Sequence, residues 1–446
     1  MKFNIRNILF LCFGAFSSIN QGFTVVLGLW DGSPYGAEVI ILSDLPMYLL
    51  FFLVPSKRAK KHALFISMIK VLTLVFFLWA QTSWLIAEKA VVLGFGMVHL
   101  TRAMIVFYFL ATRLVKVEYV QNLVNGLVFG LCFQALIGVW QWQIGPVVLP
   151  FFNIVNTGWR STGTMVDPNV FGVYLLTMLP FVWRTFVFWK LKPKMVYLGI
   201  TIVGGASLFA SYSRGAWLSF LAATLVFLLV DYNKGRLKRR HLTIFAIAAT
   251  VIFVLMSTKY KNVISNRMSN IGDAIAGQRS SSSRMFLARD AMRIINEHKI
   301  MGVGLNQYRF YATETTQGLK MVHNAYLLVA AEQGILGALL LVIIFAWSFT
   351  YGSKLLRSKN IYIYDTASAA LNGILAFMIY NMGAPDYHVP EITWHSWKLV
   401  GMVCGMLVCA EQISIHKTAE REKMAVPEEK RPADTSKISQ ANFNVR

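Results

Sequence analysis

The stretch AYLLVAAEQGILGALLLVIIFAWSFT, residues 325–350, decides the fold because Glu332 is the only charged residue in it. A bilayer core about 30 Å thick is crossed by about 20 apolar residues in helical conformation. Similar apolar runs recur along all 446 residues, of which 56% are hydrophobic and 14% charged. Soluble proteins carry about 25% charged residues. The sequence therefore predicts a membrane protein.

The spacing of these runs predicts an all-α, polytopic integral membrane protein with about twelve transmembrane helices. The expected spans are 7–29, 36–54, 63–82, 89–112, 120–142, 168–188, 195–213, 216–231, 242–257, 325–350, 366–384 and 398–413. The first of them has no convincing cleavage site after it, so we expect it to be retained rather than removed as a signal peptide.

The positive charge of the chain follows the expected topology. In a soluble protein, a formal net charge of +22 would suggest nucleic-acid binding. Here, however, the basic residues fall in every second connection between predicted spans. This alternation places both termini in the cytoplasm, and we expect no nucleic-acid partner. The basic connections contain Lys57, Arg58, Lys60, Lys61, Arg113, Lys116, Lys190, Lys192, Lys194, Lys234, Arg236, Lys238, Arg239, Arg240, Lys354, Arg357 and Lys359.

One long hydrophilic segment, residues 258–323, breaks this charge pattern. It would be extracytoplasmic, yet it is rich in arginine. A solvated helical loop and a phosphate-binding surface both fit this composition. We assign residues 1–413 to a helical bundle that includes 258–323 as an extracytoplasmic catalytic loop. Residues 414–446 lack an apolar stripe and are expected to form a disordered cytoplasmic tail.

The four cysteines offer no disulfide or zinc pattern. All of them fall inside predicted spans, and none is spaced as a paired ligand motif. We therefore expect neither thiol chemistry nor a metal site. The cysteines are Cys12, Cys132, Cys404 and Cys409.

Arg214 is a candidate catalytic residue because it lies where two predicted spans meet. An ionisable residue at a membrane helix end commonly marks a functional site, although an arginine can also extend to the interface for solvation alone. Arg284 precedes an amphipathic stretch with apolar residues at helical spacing. A guanidinium at a helix start favours phosphate. Arg279 and Arg289 are its rivals as substrate-binding residues.

His323 and Asn324 open the quoted apolar run. An imidazole accepts protons near neutral pH, so His323 is a candidate general base. The alternative is a helix-capping pair. Glu332 follows nine residues later and could orient a partner, and we include Asn324 and Glu332 among candidate substrate-binding residues.

Asp167 and Asn169 flank Pro168 at the start of another predicted span. Helix capping explains this pattern, and substrate binding is the second possibility. A third outward connection, 385–397, contains an acid–histidine group without metal spacing. Three polar residues in or near the fourth span should face the bundle interior. They are Lys89, His99 and Arg102.

Taken in order, the motifs resemble those of the O-antigen ligase and Wzy-type polymerase family. Residues 145–345 carry this resemblance by motif. The motifs are GTMVDPNVFG (163–172), SRGA (213–216), SR (283–284), HKIMGVG (298–304), HNAYL (323–327) and EQG (332–334).

The resemblance implies a GT-C-like membrane glycosyltransferase in the bacterial cytoplasmic membrane, with an extracytoplasmic site. Its donor would be a polyprenyl-diphosphate-linked glycan and its acceptor a saccharide, without cofactor or metal. Arg214 and Arg284 would bind the diphosphate, and His323 would activate the acceptor hydroxyl. The resemblance does not distinguish a polymerase from a ligase. A transporter or flippase is the alternative hypothesis, which His99 and Arg102 favour. A passive assembly subunit is a third possibility.

Overall fold

The structure is a computed structural model, and it is helical over most of the residues that it describes. These are residues 4–17, 22–23, 40–41, 44–57, 63–145, 147–149, 154–156, 159–165, 167–188, 194–239, 280–313, 321–385 and 390–425, with isolated positions between 243 and 254. Within them lie thirteen α-helices, two short 3-10 turns and two small antiparallel strand pairs.

The helices follow the order of the predicted spans. They are α1 Ile5–Phe16, α2 Asp44–Leu53, α3 Ala63–Gln81, α4 Ala90–Arg113, α5 Val117–Ile144, α6 Pro168–Phe188, α7 Lys194–Ala210, α8 Arg214–Asn233, α9 Ser280–Glu297, α10 Tyr308–Tyr311, α11 Ala325–Gly352, α12 Ile361–Tyr380 and α13 Pro390–Ala425. The strands are β1 Gly22–Phe23 with β2 Ile40–Ile41, and β3 Val147–Leu149 with β4 Ile154–Asn156.

The chain is a polytopic helical membrane protein. Six helical segments among the described residues are long and apolar enough to cross a bilayer. The number twelve stays a prediction, and most of the span expected at 242–257 lies outside the described residues. The six segments are Leu64–Leu85, Ala90–Arg113, Val117–Ile144, Arg214–Asn233, Ala325–Arg357 and His395–Ile415.

The predicted boundaries were wrong at both ends of the chain. Helix α1 ends at Phe16, and Gly22–Phe23 pairs with Ile40–Ile41, so 7–29 is not one continuous helix. Helix α13 begins at Pro390, inside the predicted third loop, because proline suits a first helical turn. The same helix continues to Ala425, beyond the predicted start of a disordered tail at 414, and residues 426–446 lie outside the described part.

Close helix crossings depend on glycines. Helix α13 packs along α4, where a Cβ at Gly401 would lie 2.8 Å from the backbone oxygen of Phe107. Gly405, four residues later, lies against the backbone of Leu110. Such small-residue spacing lets membrane helices approach closely.

Helices α3 to α8 alternate in direction, as do α11 to α13, which gives the bundle two distinct ends. At one end, α7 meets α8, α12 finishes and α11 starts, and we call this the loop end. At the opposite end, a buried ionic network joins α6, α8 and α12. Arg184 in α6 contacts Asp231 in α8 at 2.7 Å and Asp365 in α12 at 3.5 Å. Arg236, just after α8, contacts Asp365 at 3.2 Å. The two arginines and two aspartates balance in charge, as burial requires.

Candidate functional site

The turn between α7 and α8 has a strained backbone at the loop end. Tyr212 has a φ of 50°, a left-handed conformation that costs a bulky residue about 1–3 kcal/mol and often accompanies function. Its ring is buried, and its hydroxyl accepts from Trp142 Nε1 at 3.4 Å. Phe209 and Trp217 pack beside it. This turn presents Arg214, the exposed first residue of α8.

Arg160 joins this turn to the start of α6. Its Nε donates to the backbone oxygen of Ser211 at 2.9 Å, and its Nη2 donates to Asn169 Oδ1 at 2.8 Å. Asp167 is half-buried, and its Oδ1 accepts from the Asn169 N–H at 2.6 Å. Asp167 therefore caps the start of α6, as the helix-capping interpretation predicts. Asn169 accepts a hydrogen bond from Arg160 through its side chain.

The last turn of α12 lies between the Arg214 segment and the His323 segment. A Cβ at Gly215 would lie 3.2 Å from Tyr380 Cε2, so the start of α8 lies against that ring. The next residue, Asn381, accepts from the Ala325 N–H through its backbone oxygen at 3.0 Å. Arg214 and His323 thus flank one helix end, although 109 positions separate them in the chain.

Asn324 is the N-cap of α11. Its Oδ1 accepts from the N–H groups of Tyr326 at 2.9 Å and Leu327 at 3.0 Å, while its Nδ2 donates to the backbone oxygen of Met382 at 3.1 Å. Asn324 therefore binds α11 to the end of α12. His323 beside it is exposed.

Helix α9 places Arg284 on the same side of the molecule. Leu287, near the start of α9, belongs to the same apolar cluster as Val322, just before α11. At the other end, the backbone oxygen of Lys299 accepts from the Ile335 N–H at 3.0 Å. Helix α9 therefore packs beside the first half of α11, and Arg284 lies one turn before Leu287 in α9. Arg284 is exposed.

The rival arginines have different positions. Arg289 is exposed on α9, and its Nη2 lies 3.8 Å from the sulfur of Met285. Arg279 lies outside the described residues. The amphipathic helix expected after Arg284 is confirmed as α9, with Ala291 and Ile294 buried.

Helix α11 is broken at Gly334, where φ is 72° and ψ is 174°. The loop after α9 fills the break. The N–H of Val303 donates to the backbone oxygen of Ala331 at 2.9 Å, and the N–H of Gly304 donates to that of Glu332 at 2.8 Å. Non-helical backbone at membrane depth is tolerated where protein supplies such partners.

Glu332 lies inside this junction rather than on the exposed surface. The side chain is fully buried. Its Oε2 accepts from the Asn306 N–H at 3.0 Å, and its Oε1 accepts from the Tyr308 N–H at 3.2 Å. Burial, together with the carboxylates of Asp290 and Glu332, raises the pKa of Tyr308 well above its ordinary value, so its phenol stays protonated.

Other polar residues that the sequence analysis singled out have contacts away from the Arg214, His323 and Arg284 segments. Arg102 is buried in the bundle interior, as expected, and pairs with Asp44 at 3.2 Å. Lys89 binds Gln307 through its backbone. His395, expected in an outer loop, is buried in α13 with its Nδ1 2.8 Å from Lys398 Nζ.

The structure thus brings Asp167, Asn169, Arg214 and His323 to the loop end, with Arg284 on the adjoining helix. Exposed guanidinium groups can bind an anion, and an exposed imidazole can accept a proton. Sequence reasoning missed Arg160. The signal available was its position three residues before the GTMVDPN motif, at 160 in WRSTG (159–163).

Comparison with known proteins identifies one family. Residues 199–342 match the family model Wzy_C, described as O-antigen ligase. The match covers 144 of 446 residues and includes Arg214, Arg284, His323 and Glu332. None of the curated proteins compared with the chain matches it. The family resemblance seen in the motifs is confirmed over this segment.

Proposed function

We propose, from the premise that this membrane protein carries an O-antigen ligase family domain, that it is an inverting glycosyltransferase of the bacterial cytoplasmic membrane. It transfers a saccharide chain from a polyprenyl-diphosphate carrier to an acceptor sugar during surface polysaccharide synthesis. Both termini face the cytoplasm, and the loop end faces outward.

The observation that carries this proposal is the convergence around the end of α12. The Arg214 segment contacts Tyr380, and the His323 segment is bonded to Asn381. In an inverting transfer, the acceptor hydroxyl attacks the anomeric carbon from the side opposite the anionic leaving group. A cation and a base that flank a single helix end support such an arrangement.

In the proposed reaction, Arg214 and Arg284 bind the diphosphate. His323 accepts the proton of the acceptor hydroxyl as its oxygen attacks the anomeric carbon, and the bond from that carbon to the diphosphate oxygen breaks. The products are the new glycosidic bond and the polyprenyl diphosphate. The arginines neutralise the charge that develops on the leaving group, which is the chemistry for which preorganised donors are effective.

The remaining candidates take supporting roles in this proposal. Arg289 and Arg279 bind the donor in this proposal, Asn169 orients Arg160, and Asp167 orients Asn169. Asn324 and Glu332 fix the segments that carry His323 and Arg284, and any contact that they make with the substrate stays a prediction.

A transporter remains the alternative, because α11 is a broken helix and broken helices mark many transport sites. Two observations favour the enzyme. The backbone groups freed at Gly334 are bonded to the loop at Val303 and Gly304. The interior cation Arg102 is paired with Asp44. Both contacts fix the structure where transport would require an opening.

Complementation tests the proposal. A strain lacking the gene receives wild type, Arg214→Ala, Arg284→Ala, His323→Ala or the control Arg357→Ala, an exposed arginine at the opposite end of the bundle. At matched membrane levels, each site variant should lose about 10²–10³-fold in transfer rate, while the control should retain activity.

The glycans that accumulate separate the two reactions. Single repeats on the carrier indicate a polymerase, and long carrier-linked chains indicate a ligase. If all three site variants make normal surface polysaccharide, the proposed site is wrong and transport becomes the better hypothesis.

A further inference from the structure

We propose that Arg160 is a positioning residue that holds the Ser211–Arg214 turn in the geometry that diphosphate binding by Arg214 requires. This inference rests on the proposed function, since the ligand is the donor diphosphate. The family match begins at residue 199 and does not include Arg160. The evidence is the set of contacts that Arg160 and the turn make.

Arg160 projects from a rigid base. The side-chain oxygen of Gln141, in α5, accepts from the N–H groups of Thr162 at 2.9 Å and Gly163 at 2.8 Å. Gly163 has a φ of 59°, and a Cβ there would collide with the ring of Phe171. The segment that follows Arg160 is therefore fixed against α5 and α6, so the arginine is anchored where it leaves the main chain.

The guanidinium of Arg160 bridges the turn after α7 and the first turn of α6, two elements that also pack against each other at Gly172. Its Nε donates to the backbone oxygen of Ser211, just after α7, and its Nη2 donates to the side chain of Asn169, in the first turn of α6. Carbonyls at a helix C-terminus lack partners within the helix. A planar guanidinium fork can satisfy one of them while a second nitrogen fixes its orientation.

The turn requires such support because its backbone is strained at Tyr212. A left-handed conformation in a bulky residue persists only where the surroundings over-determine it. Aromatic packing by Phe209 and Trp217 holds the ring of Tyr212. Arg160 supplies the corresponding constraint on the main chain, at the residue immediately before the strained one.

Arg214 follows the strained residue by two positions. It is the first residue of α8, and its direction is set by the turn that precedes it. Without Arg160, the Ser211 carbonyl loses its donor and the turn can relax toward an unstrained backbone. Arg214 would keep its charge but lose its placement relative to the diphosphate.

A double-mutant cycle tests this coupling. Full-length protein in nanodiscs is titrated with geranylgeranyl diphosphate by calorimetry, in wild type, Arg214→Ala, Arg160→Gln and the double variant. A charge-assisted contact contributes about 10- to 150-fold in affinity. We expect Arg214→Ala to weaken binding about 30-fold and Arg160→Gln about 10-fold. The double variant should be no weaker than about 30-fold, because residues that act through one another are not additive.

An additive loss of about 300-fold in the double variant overturns the proposal, because Arg160 would then bind the ligand independently. Wild-type affinity in Arg160→Gln, with Arg214→Ala impaired, also overturns it and leaves the proposed function intact. Wild-type affinity in Arg214→Ala instead refutes the diphosphate assignment in the proposed function.

Two further variants keep the test independent of folding. Asn169→Leu removes one acceptor of Arg160 and should reproduce a weaker form of the Arg160→Gln defect, and wild-type affinity there contradicts the proposal. Lys234→Gln is the matched control, because Lys234 also donates to a backbone carbonyl, that of Leu356 at 2.8 Å, but at the far end of the bundle. Its diphosphate affinity should equal that of wild type.

Discussion

Replacement of Glu332 by alanine should release the loop that fills the break in α11. The carboxylate accepts two backbone N–H groups, from Asn306 at 3.0 Å and Tyr308 at 3.2 Å. Alanine leaves both donors without that acceptor in a buried site. Glutamine keeps one acceptor oxygen and turns an N–H group toward the second donor.

The magnitude follows from these bonds. A buried donor that is left without its acceptor costs about 1–3 kcal/mol. A value of about 1.5 kcal/mol for each of the two N–H groups gives about 3 kcal/mol lost in Glu332→Ala. Glu332→Gln retains one neutral bond and should lose about 2 kcal/mol.

Hydrogen exchange measured by mass spectrometry gives the readout. The informative amides are those of Val303 and Gly304, because their acceptors are backbone oxygens that the substitution leaves in place. A loss of about 3 kcal/mol in loop docking should accelerate their exchange about 100-fold. Gln333→Leu is the control, since the side-chain oxygen of Gln333 has no hydrogen-bond partner among the described residues.

Unchanged exchange at Val303 and Gly304 in Glu332→Ala would refute the reasoning. It would mean that main-chain bonds alone hold the loop and that Glu332 is free for another role. Equal acceleration in Gln333→Leu would show a general loss of packing around the break instead.

Four further predictions concern other parts of the molecule. Arg184→Met removes one of the two arginines that pair with the buried Asp231 and Asp365, and should destabilise the protein by about 3–5 kcal/mol in detergent unfolding. A loss below about 1 kcal/mol contradicts a stabilising role for this ionic network. Gly401→Ala should cost about 1–3 kcal/mol, read as a lowered thermal midpoint, because the new methyl meets Phe107; an unchanged midpoint means that the helices can separate freely. Asn324→Ala should cost about 1–2 kcal/mol through the lost cap, with Asn324→Asp preserving most of it, and equal unfolding of both variants argues against capping. Tyr308→Phe should leave the pH dependence of transfer unchanged up to about pH 9, since its raised pKa keeps the phenol protonated; a shifted profile would place that proton in the reaction.

Much of the helical order could be read from hydrophobic runs, since each long run must satisfy its own backbone in lipid. The amphipathic spacing after Arg284 predicted α9 for a similar local reason. The helix starts predicted at residues 36 and 398 were wrong, because α2 begins at Asp44 and α13 begins at Pro390. In each case, residues beside the apolar run take part in tertiary contacts, and hydropathy does not record such contacts.

The candidate site was only partly predictable. Arg214, Arg284 and His323 carry recognisable side-chain chemistry, and their order in the chain matches a family. The contacts of Glu332 and Arg160 are different, because their partners include backbone atoms of Asn306, Tyr308 and Ser211. Nearly every residue has the same backbone N–H and C=O groups, so no sequence pattern predicts which backbone group a distant side chain will bind.

The ionic network at the far end of the bundle limits how the site can open. Arg184, Asp231 and Asp365 join α6, α8 and α12 at one end, and the opposite ends of these helices carry Asn169, Arg214 and Tyr380. A helix of 20 residues, such as α8 or α12, is about 30 Å long. Tilting it by about 5° about the network moves its other end by about 3 Å. A small tilt of this kind would therefore widen the loop end while the ion pairs, which lie at the pivot, stay intact.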